Sequence, residues 1–295
     1  MAFNYDHRPH HSKSKLYVAL ELVTFGVVPL VSLNGRAETI QAALSYLLFA
    51  LLGSILYLVG GALLYGSYGT LDIVLLSHKI HAEPETLVAA ALMTTGLLAK
   101  TALFPLHLWL PPAHAGVPSP ASAVLSGLVV KGPFFIVVQL WFDVMPGLPG
   151  FTAAQLLAAL GAAAIVIGSV VALRQQRLKL LIAYSTLAQI GYLFLMFPLA
   201  FGAASARLES GGALAGGLLQ AISHATAKAA MFMSAARAAG LRRTEWMVFC
   251  IDRAWQDYGT ASRSRCTSVP HGLSRLWAKN RSSDGTFSSK RFGTY

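Results

Sequence analysis

Three lysines and one glutamate stand inside apolar segments of this chain: Lys100, Lys131, Lys228 and Glu21. An ionisable side chain at the centre of a membrane helix costs about 2.5 to 3.5 kcal/mol on insertion scales. Membrane proteins tolerate such groups where they line a polar path or pair with one another. The four residues therefore predict that the chain moves charge across a membrane.

Two of the lysines precede residues that interrupt helices. Lys100 stands five residues before Pro105, whose ring clashes with the carbonyl group four residues back, that of Thr101. We therefore predict a helix break beside Lys100, with carbonyl groups that can bind a proton, a water molecule or a cation. Lys131 directly precedes a Gly-Pro pair, which predicts a second break. Snorkelling to the membrane surface is the alternative role for Lys100, but apolar residues flank it on both sides.

The third lysine has a histidine partner on its own helix. His224 and Lys228 are four residues apart, so they lie on one helix face. An imidazole and an amine bridged by water make a proton relay. Two alternatives stay open: His224 only fills the core, and Glu21 forms a static pair with a lysine that only locks two helices together.

The elements that carry these residues read as membrane helices. The chain has 295 residues, of which 55% are hydrophobic and 12% are charged, whereas soluble domains carry about 25% charged residues. A spanning helix needs about 20 mostly apolar residues. The sequence therefore predicts an all-α, polytopic transmembrane helical bundle with about seven spanning helices, at 16–33, 40–64, 86–110, 121–141, 151–173, 180–201 and 212–236.

The net charge of +11 is concentrated at the two ends of the chain. The prediction is a polar N-terminal tail at 1–15, a transmembrane domain at 16–236, and a basic, Ser/Arg-rich, disordered C-terminal tail at 237–295. Two interpretations of the C-terminal tail stay open: a natural extension of the protein, or an end produced by a frame shift. Because no folded basic face carries the charge, nucleic acid is not an expected partner. Loops that carry an excess of Lys and Arg usually face the cytoplasm. The loops predicted to be cytoplasmic are therefore those with Arg36, Arg174, Arg177, Lys179, Arg237, Arg242 and Arg243.

No cofactor or metal is expected. Cys250 and Cys266 do not have metal-ligand spacing with the histidines, and the chain has no GxGxxG fingerprint and no haem motif.

Several stretches resemble one family of membrane subunits. The run LLAKTALFPLHLWLPPAHAGVPSPASAVLSGLVVKGPFFIVVQLW looks like the hallmark of the antiporter-like subunits of respiratory complex I. That family includes Mrp-type sodium/proton antiporter subunits and membrane-bound hydrogenase subunits. The stretches ALELVTFGVVPL, QQRLKLLIAYSTLAQIGYLFL and ISHATAKAAMFMSAA also fit, so the resemblance covers about 17–236.

The resemblance implies a role for each buried charge. Glu21 matches the glutamate of the family's fifth helix, and Lys100 matches its proposed partner in the broken seventh helix. Lys131 matches the central lysine of the eighth helix, and His224 and Lys228 match the relay of the eleventh. The family is built from inverted five-helix repeats, so the chain is expected to be a fragment that covers helices five to eleven and lacks the twelfth-helix exit.

The expected function is proton conduction through these buried residues, coupled to a redox complex of NADH-quinone oxidoreductase or hydrogenase type. The redox centres would lie in other subunits. The expected partners are other membrane subunits, the lipid bilayer and protons, or sodium ions, in a bacterial inner or plasma membrane. The alternatives are a cation/proton antiporter subunit of Mrp type and an inactive truncated fragment or scaffold.

Overall fold

Helices form nearly the whole of the described chain. The computed structural model describes residues 13–145, 148, 150–201 and 211–237, all of them in one unit bounded by residue 246. The predicted tails at 1–15 and 237–295 lie almost entirely outside these residues. The helices are α1 (Lys13–Ser32), α2 (Ala37–Tyr68), α3 (Ile73–Lys79), α4 (Pro84–Thr101), α5 (Leu110–Ala115), α6 (Ser119–Val124), α7 (Lys131–Gln139), α8 (Gly150–Arg174), α9 (Leu178–Phe194), α10 (Met196–Ala200) and α11 (Gly211–Arg237).

The all-helical membrane fold is confirmed. Four helical stretches of the described chain are long and apolar enough to cross a membrane: Ala37–Tyr68, Ser119–Val144, Gly150–Arg174 and Leu178–Ala200. Within α1, the described stretch Glu21–Ser32 is a shorter apolar helix. The count of about seven spanning helices therefore stays a prediction.

The helices pack through small residues and present large ones outward. On α2, Leu48 and Ile55 are exposed, whereas Gly53 is buried against α4 and Ser54 is buried beside Glu21 of α1. Lipid offers no hydrophobic drive between helices, so small faces that allow close backbone approach hold membrane helices together. Gly53 and Gly96 meet at the crossing of α2 and α4, where an added Cβ would strike the backbone of the facing helix.

We expect that Gly96→Ala destabilises the protein by about 1–3 kcal/mol, because the new methyl group has no flexible neighbour to displace. Gly61→Ala is the matched control, since a Cβ at Gly61 on α2 meets no atom within 4 Å. Unfolding by denaturing detergent in mixed micelles measures both variants. Equal stability of the two variants would show that the close approach of α2 and α4 is not needed.

The predicted break beside Lys100 is confirmed. Helix α4 ends at Thr101, and Ala102 adopts a left-handed conformation with φ of 57°. Two carbonyl groups at this break have protein partners, and the expectation that freed carbonyls bind a proton, water or a cation stays a prediction. The Trp109 indole donates to the Ala99 carbonyl at 3.0 Å, and the Leu103 amide donates to that of Leu98 at 3.2 Å.

The predicted break after Lys131 is wrong in position. The irregular segment is a π-helical turn at Leu125–Val129, before Lys131, and α7 then continues through Gly132 and Pro133. Pro133 lies in the first turn of α7, directly after the π-helical turn, where the ladder of backbone hydrogen bonds is already irregular. A second π-helical turn, Leu140–Val144, ends this span.

Three connections meet at one end of the bundle. The Asn34 side chain donates to the Gly116 carbonyl, and the Lys179 ammonium donates to the Val117 carbonyl at 2.7 Å. The connections before α2, before α6 and before α9 therefore share one end, which we call the loop end. This agrees with the positive residues Arg36 and Lys179 facing the same side of the membrane.

Candidate functional site

An ion pair joins α1 to α4. The Lys100 ammonium donates to Glu21 Oε1 at 3.1 Å, and the side chains are 4% and 14% exposed. Two hydroxyl groups also form hydrogen bonds with the pair. Lys100 also donates to Thr24 Oγ1 at 3.2 Å, and the Ser54 hydroxyl of α2 donates to Glu21 Oε1. The predicted partnership of Glu21 with Lys100 is thus present as a hydrogen-bonded pair held by three helices.

Sequence reasoning missed the two hydroxyl residues of this pair. Thr24 follows Glu21 by three positions and therefore lies on the same face of α1, which is a usable sequence signal. Ser54 had no such signal, because its position beside Glu21 depends on the crossing of α1 and α2.

Lys131 is buried at the middle of its span. Its side chain is 3% exposed, and it lies at the centre of Ser119–Val144. Its ammonium donates to the Ser126 carbonyl of the preceding π-helical turn. Within the described part of the chain, no carboxylate lies within ion-pair distance of Lys131. The charge is therefore held by a neutral backbone oxygen, an arrangement that suits a group that hands on a proton.

Lys228 and His224 face the interior together. Both residues are 4% exposed, which confirms that they share one buried face of α11. The Lys228 ammonium donates to the Ser185 hydroxyl and to the Ile182 carbonyl, the latter at 3.4 Å. Neither ring nitrogen of His224 has a hydrogen-bond partner among the described residues.

Helix α9 connects Lys131 with Lys228 through polar atoms. The Ser126 and Thr186 hydroxyls are 3.1 Å apart, and Thr186 donates to the Ile182 carbonyl at 2.9 Å. Lys131 bonds to the Ser126 carbonyl and not to its hydroxyl, and Lys228 bonds to the Ile182 carbonyl, so the two lysines are linked residue by residue but not by one unbroken chain of hydrogen bonds. This contribution of α9 was not predicted.

The five predicted residues thus form two groups. Glu21 and Lys100 are in direct contact, whereas Lys131 and Lys228 are linked through Ser126 and α9, and His224 lies one turn before Lys228 on α11. In the described segments, no hydrogen bond joins the first group to the second. Nor do three or more His, Cys, Asp or Glu side chains in those segments converge in a way that could hold a metal ion.

Comparisons with known proteins identify the family. Residues 12–248 match the family described as NADH:quinone oxidoreductase/Mrp antiporter, transmembrane. The chain is 34% identical over 224 residues to NADH-quinone oxidoreductase subunit N of Desulforudis audaxviator, covering 75% of this chain and 43% of that protein. It is 30% identical over 226 residues to F(420)H(2) dehydrogenase subunit N of Methanosarcina mazei, covering 75% and 44%. The chain spans about two fifths of the length of these relatives.

Two solved structures share the fold. A chain of the membrane-bound sulfane sulfur reductase, an archaeal respiratory membrane complex, matches with a TM-score of 0.67 and 29% identity, covering 75% of this chain and 44% of that one. A chain of the Mrp complex from Dietzia sp. DQ12-45-1b matches with a TM-score of 0.68 and 24% identity, covering 77% and 41%, and shows the fold alone. Because the family match covers most of the sequence, this chain belongs to the NADH:quinone oxidoreductase/Mrp antiporter family of transmembrane proteins.

Proposed function

We propose that this chain conducts protons across a membrane as a subunit of a redox-driven complex. The observation that carries the proposal is Lys131, an amine buried at mid-span whose charge rests on a backbone carbonyl. The similarity to subunit N of NADH-quinone and F(420)H(2) dehydrogenases supports a redox partner. The partners are then other membrane subunits of that complex, in a bacterial inner or plasma membrane.

The mechanism begins at the Glu21–Lys100 pair. When a neighbouring subunit changes conformation, the pair separates and Lys100 loses its counter-ion. The Lys100 ammonium then gives its proton to Lys131 in its neutral amine form, and Glu21 stays a carboxylate that accepts the hydrogen bond of the Ser54 hydroxyl. Repulsion between two like charges in a low-dielectric interior drives the next transfer.

The second transfer uses the groups around α9. Polar atoms of Ser126, Thr186 and Ile182 lie between Lys131 and Lys228. The Lys131 ammonium gives up its proton and becomes a neutral amine, and the neutral amine of Lys228 gains that proton and becomes an ammonium. Lys100, Lys131, Lys228, His224 and Glu21 are therefore the proposed proton-handling residues.

A test separates this proposal from the two rival functions. Inverted membrane vesicles that carry the chain with its neighbouring subunits are supplied with the reductant, and proton uptake is followed with a pH-sensitive dye. We expect uptake that does not require sodium. Uptake that needs sodium would assign the chain to the cation/proton antiporters, and uptake unchanged by deletion of the chain would assign it a scaffold role.

A further inference from the structure

A groove between α4 and α8 opens to the side of the bundle. Helix α4 packs on α2 and α7, whereas α8 packs on α9 and α10, so the sides of α4 and α8 that face each other stay partly uncovered. Between them lies a cavity of about 460 Å³, which we call the α4–α8 groove. Leu87 of α4 and Leu156 of α8 line it and are 45% and 62% exposed. The other lining residues lie within 90–98, 104–106, 141–148 and 153–160.

The groove covers one half of the membrane thickness. Helix α2 begins at the loop end, so α4, which runs back after α3, begins at the opposite end. Helix α4 lines the groove from Leu87 to Leu98, a length of about 16 Å at 1.5 Å per residue. One leaflet of a hydrocarbon core about 30 Å thick is about 15 Å deep. Phe104, Pro105 and Leu106 close the groove at this depth, so it fits an acyl chain of one leaflet and not a spanning helix.

The lining of the groove favours hydrocarbon over a polar ligand. Among the described residues that line it, only Thr94, Thr95 and Trp141 carry oxygen or nitrogen atoms in their side chains. The Trp141 indole donates to the Thr94 hydroxyl at 3.0 Å, so these two groups satisfy each other. A polar ligand would lose its hydrogen bonds to water in such a groove without regaining them. A hydrocarbon chain has no such bonds to lose.

The mouth of the groove is acidic. Glu83 and Glu85 are exposed at the start of α4. Asp143 is exposed in the second π-helical turn, which also contributes to the lining. Lys79, at the end of α3, is the one lysine in the connection between α2 and α4. Because like charges repel, this rim disfavours an anionic headgroup and attracts an ammonium group.

We propose that the α4–α8 groove binds one acyl chain of a phospholipid that has an ammonium headgroup. The lipid belongs to the leaflet at the end of the bundle opposite the loop end. Its acyl chain packs between α4 and α8 and reaches the connection at Phe104 in the middle of the membrane, while its headgroup stays at the acidic mouth. The site goes beyond the proposed function, because it involves no proton transfer.

Photolabelling tests whether a lipid chain occupies the groove. The full chain is placed in nanodiscs of phosphatidylethanolamine with a small share of the same lipid carrying a diazirine at the end of one acyl chain. Labelled peptides are then identified by mass spectrometry. We expect labelling at 98–106 to exceed several-fold the labelling at Leu48 and Ile55, which are exposed on α2 outside the groove. Labelling at 98–106 no stronger than at these two residues would overturn the inference.

A matched pair of variants fills the groove or leaves it open. Ala91→Phe adds a ring at an exposed position inside the groove, and Ala62→Phe adds the same ring at an exposed position of α2 outside it. We expect Ala91→Phe to lower labelling at 98–106 to the level of Leu48 and Ile55, and Ala62→Phe to leave it unchanged. Equal labelling of 98–106 in the two variants would contradict the proposal.

Two further arms test the headgroup and the rival occupant. A phosphatidylglycerol probe with the same diazirine chain is anionic, and we expect it to label 98–106 several-fold less than the phosphatidylethanolamine probe does. Equal labelling by the two probes would overturn the assignment of the headgroup. Loss of the label in the purified complex, with cross-links to another subunit instead, would assign the groove to a protein partner and overturn the inference. None of these results depends on proton conduction, so the proposed function stands or falls separately.

Discussion

Replacing Lys131 by alanine is expected to abolish proton pumping by the complex that contains this chain. Lys131 lies at mid-span between the Glu21–Lys100 pair and Lys228, and it is bonded to the Ser126 carbonyl. Without its amine no proton-accepting group remains at that position, so the transfer from Lys100 has no acceptor. The measurement is dye-reported proton uptake by inverted vesicles under turnover.

The control for this prediction is a lysine outside the bundle interior. Lys79, at the end of α3, is exposed, and Lys79→Ala is expected to leave pumping unchanged. Membrane insertion of both variants is checked by immunoblot of washed membranes. Pumping at the wild-type rate by a correctly inserted Lys131→Ala protein would remove Lys131 from the path.

Removing one member of the Glu21–Lys100 pair is expected to destabilise the protein strongly. Lys100→Met leaves Glu21 charged and nearly buried, with only the Ser54 hydroxyl to hold it. Breaking a buried pair in this way commonly costs about 3–5 kcal/mol, because the remaining charge has lost its compensation. Unfolding by denaturing detergent in mixed micelles gives the free-energy change.

The double variant Glu21→Gln with Lys100→Met separates stability from transport. Replacing both charges by neutral groups is often neutral for stability or stabilising, so we expect stability to recover. Proton pumping is expected to stay lost, because neither group can exchange a proton. A double variant that pumps would show that the pair only locks α1 against α4, which was the static alternative.

The apolar segments of the sequence predicted most helices closely. A stretch of about 20 apolar residues bounded by turn residues can form few structures other than a helix in a membrane. The predicted segment at 151–173, for example, is observed as Gly150–Arg174. The predicted segment at 86–110 does not run its full length, since α4 ends at Thr101. Its remainder forms an irregular connection and α5, and the apolar composition of that part does not distinguish it from a helix.

The candidate site could be predicted only in part. Charged residues in apolar segments are conspicuous, so Lys131 and Lys228 were found from the sequence. The hydroxyls of Ser185 and Thr186 were not, because such residues bond to their own helix carbonyl whether or not they have a further role, as both do to Ile182.

In the proposed mechanism, the Lys131 amine gives up and regains a proton. Replacement by arginine tests it most directly, because arginine keeps the positive charge but does not deprotonate in proteins. The measurement is proton uptake into proteoliposomes that hold the purified complex and are driven by an imposed membrane potential. We expect uptake in the wild-type protein and none above the empty-liposome rate in Lys131→Arg. Equal uptake by the two proteins would show that Lys131 contributes only a fixed charge, and would contradict the proposed mechanism.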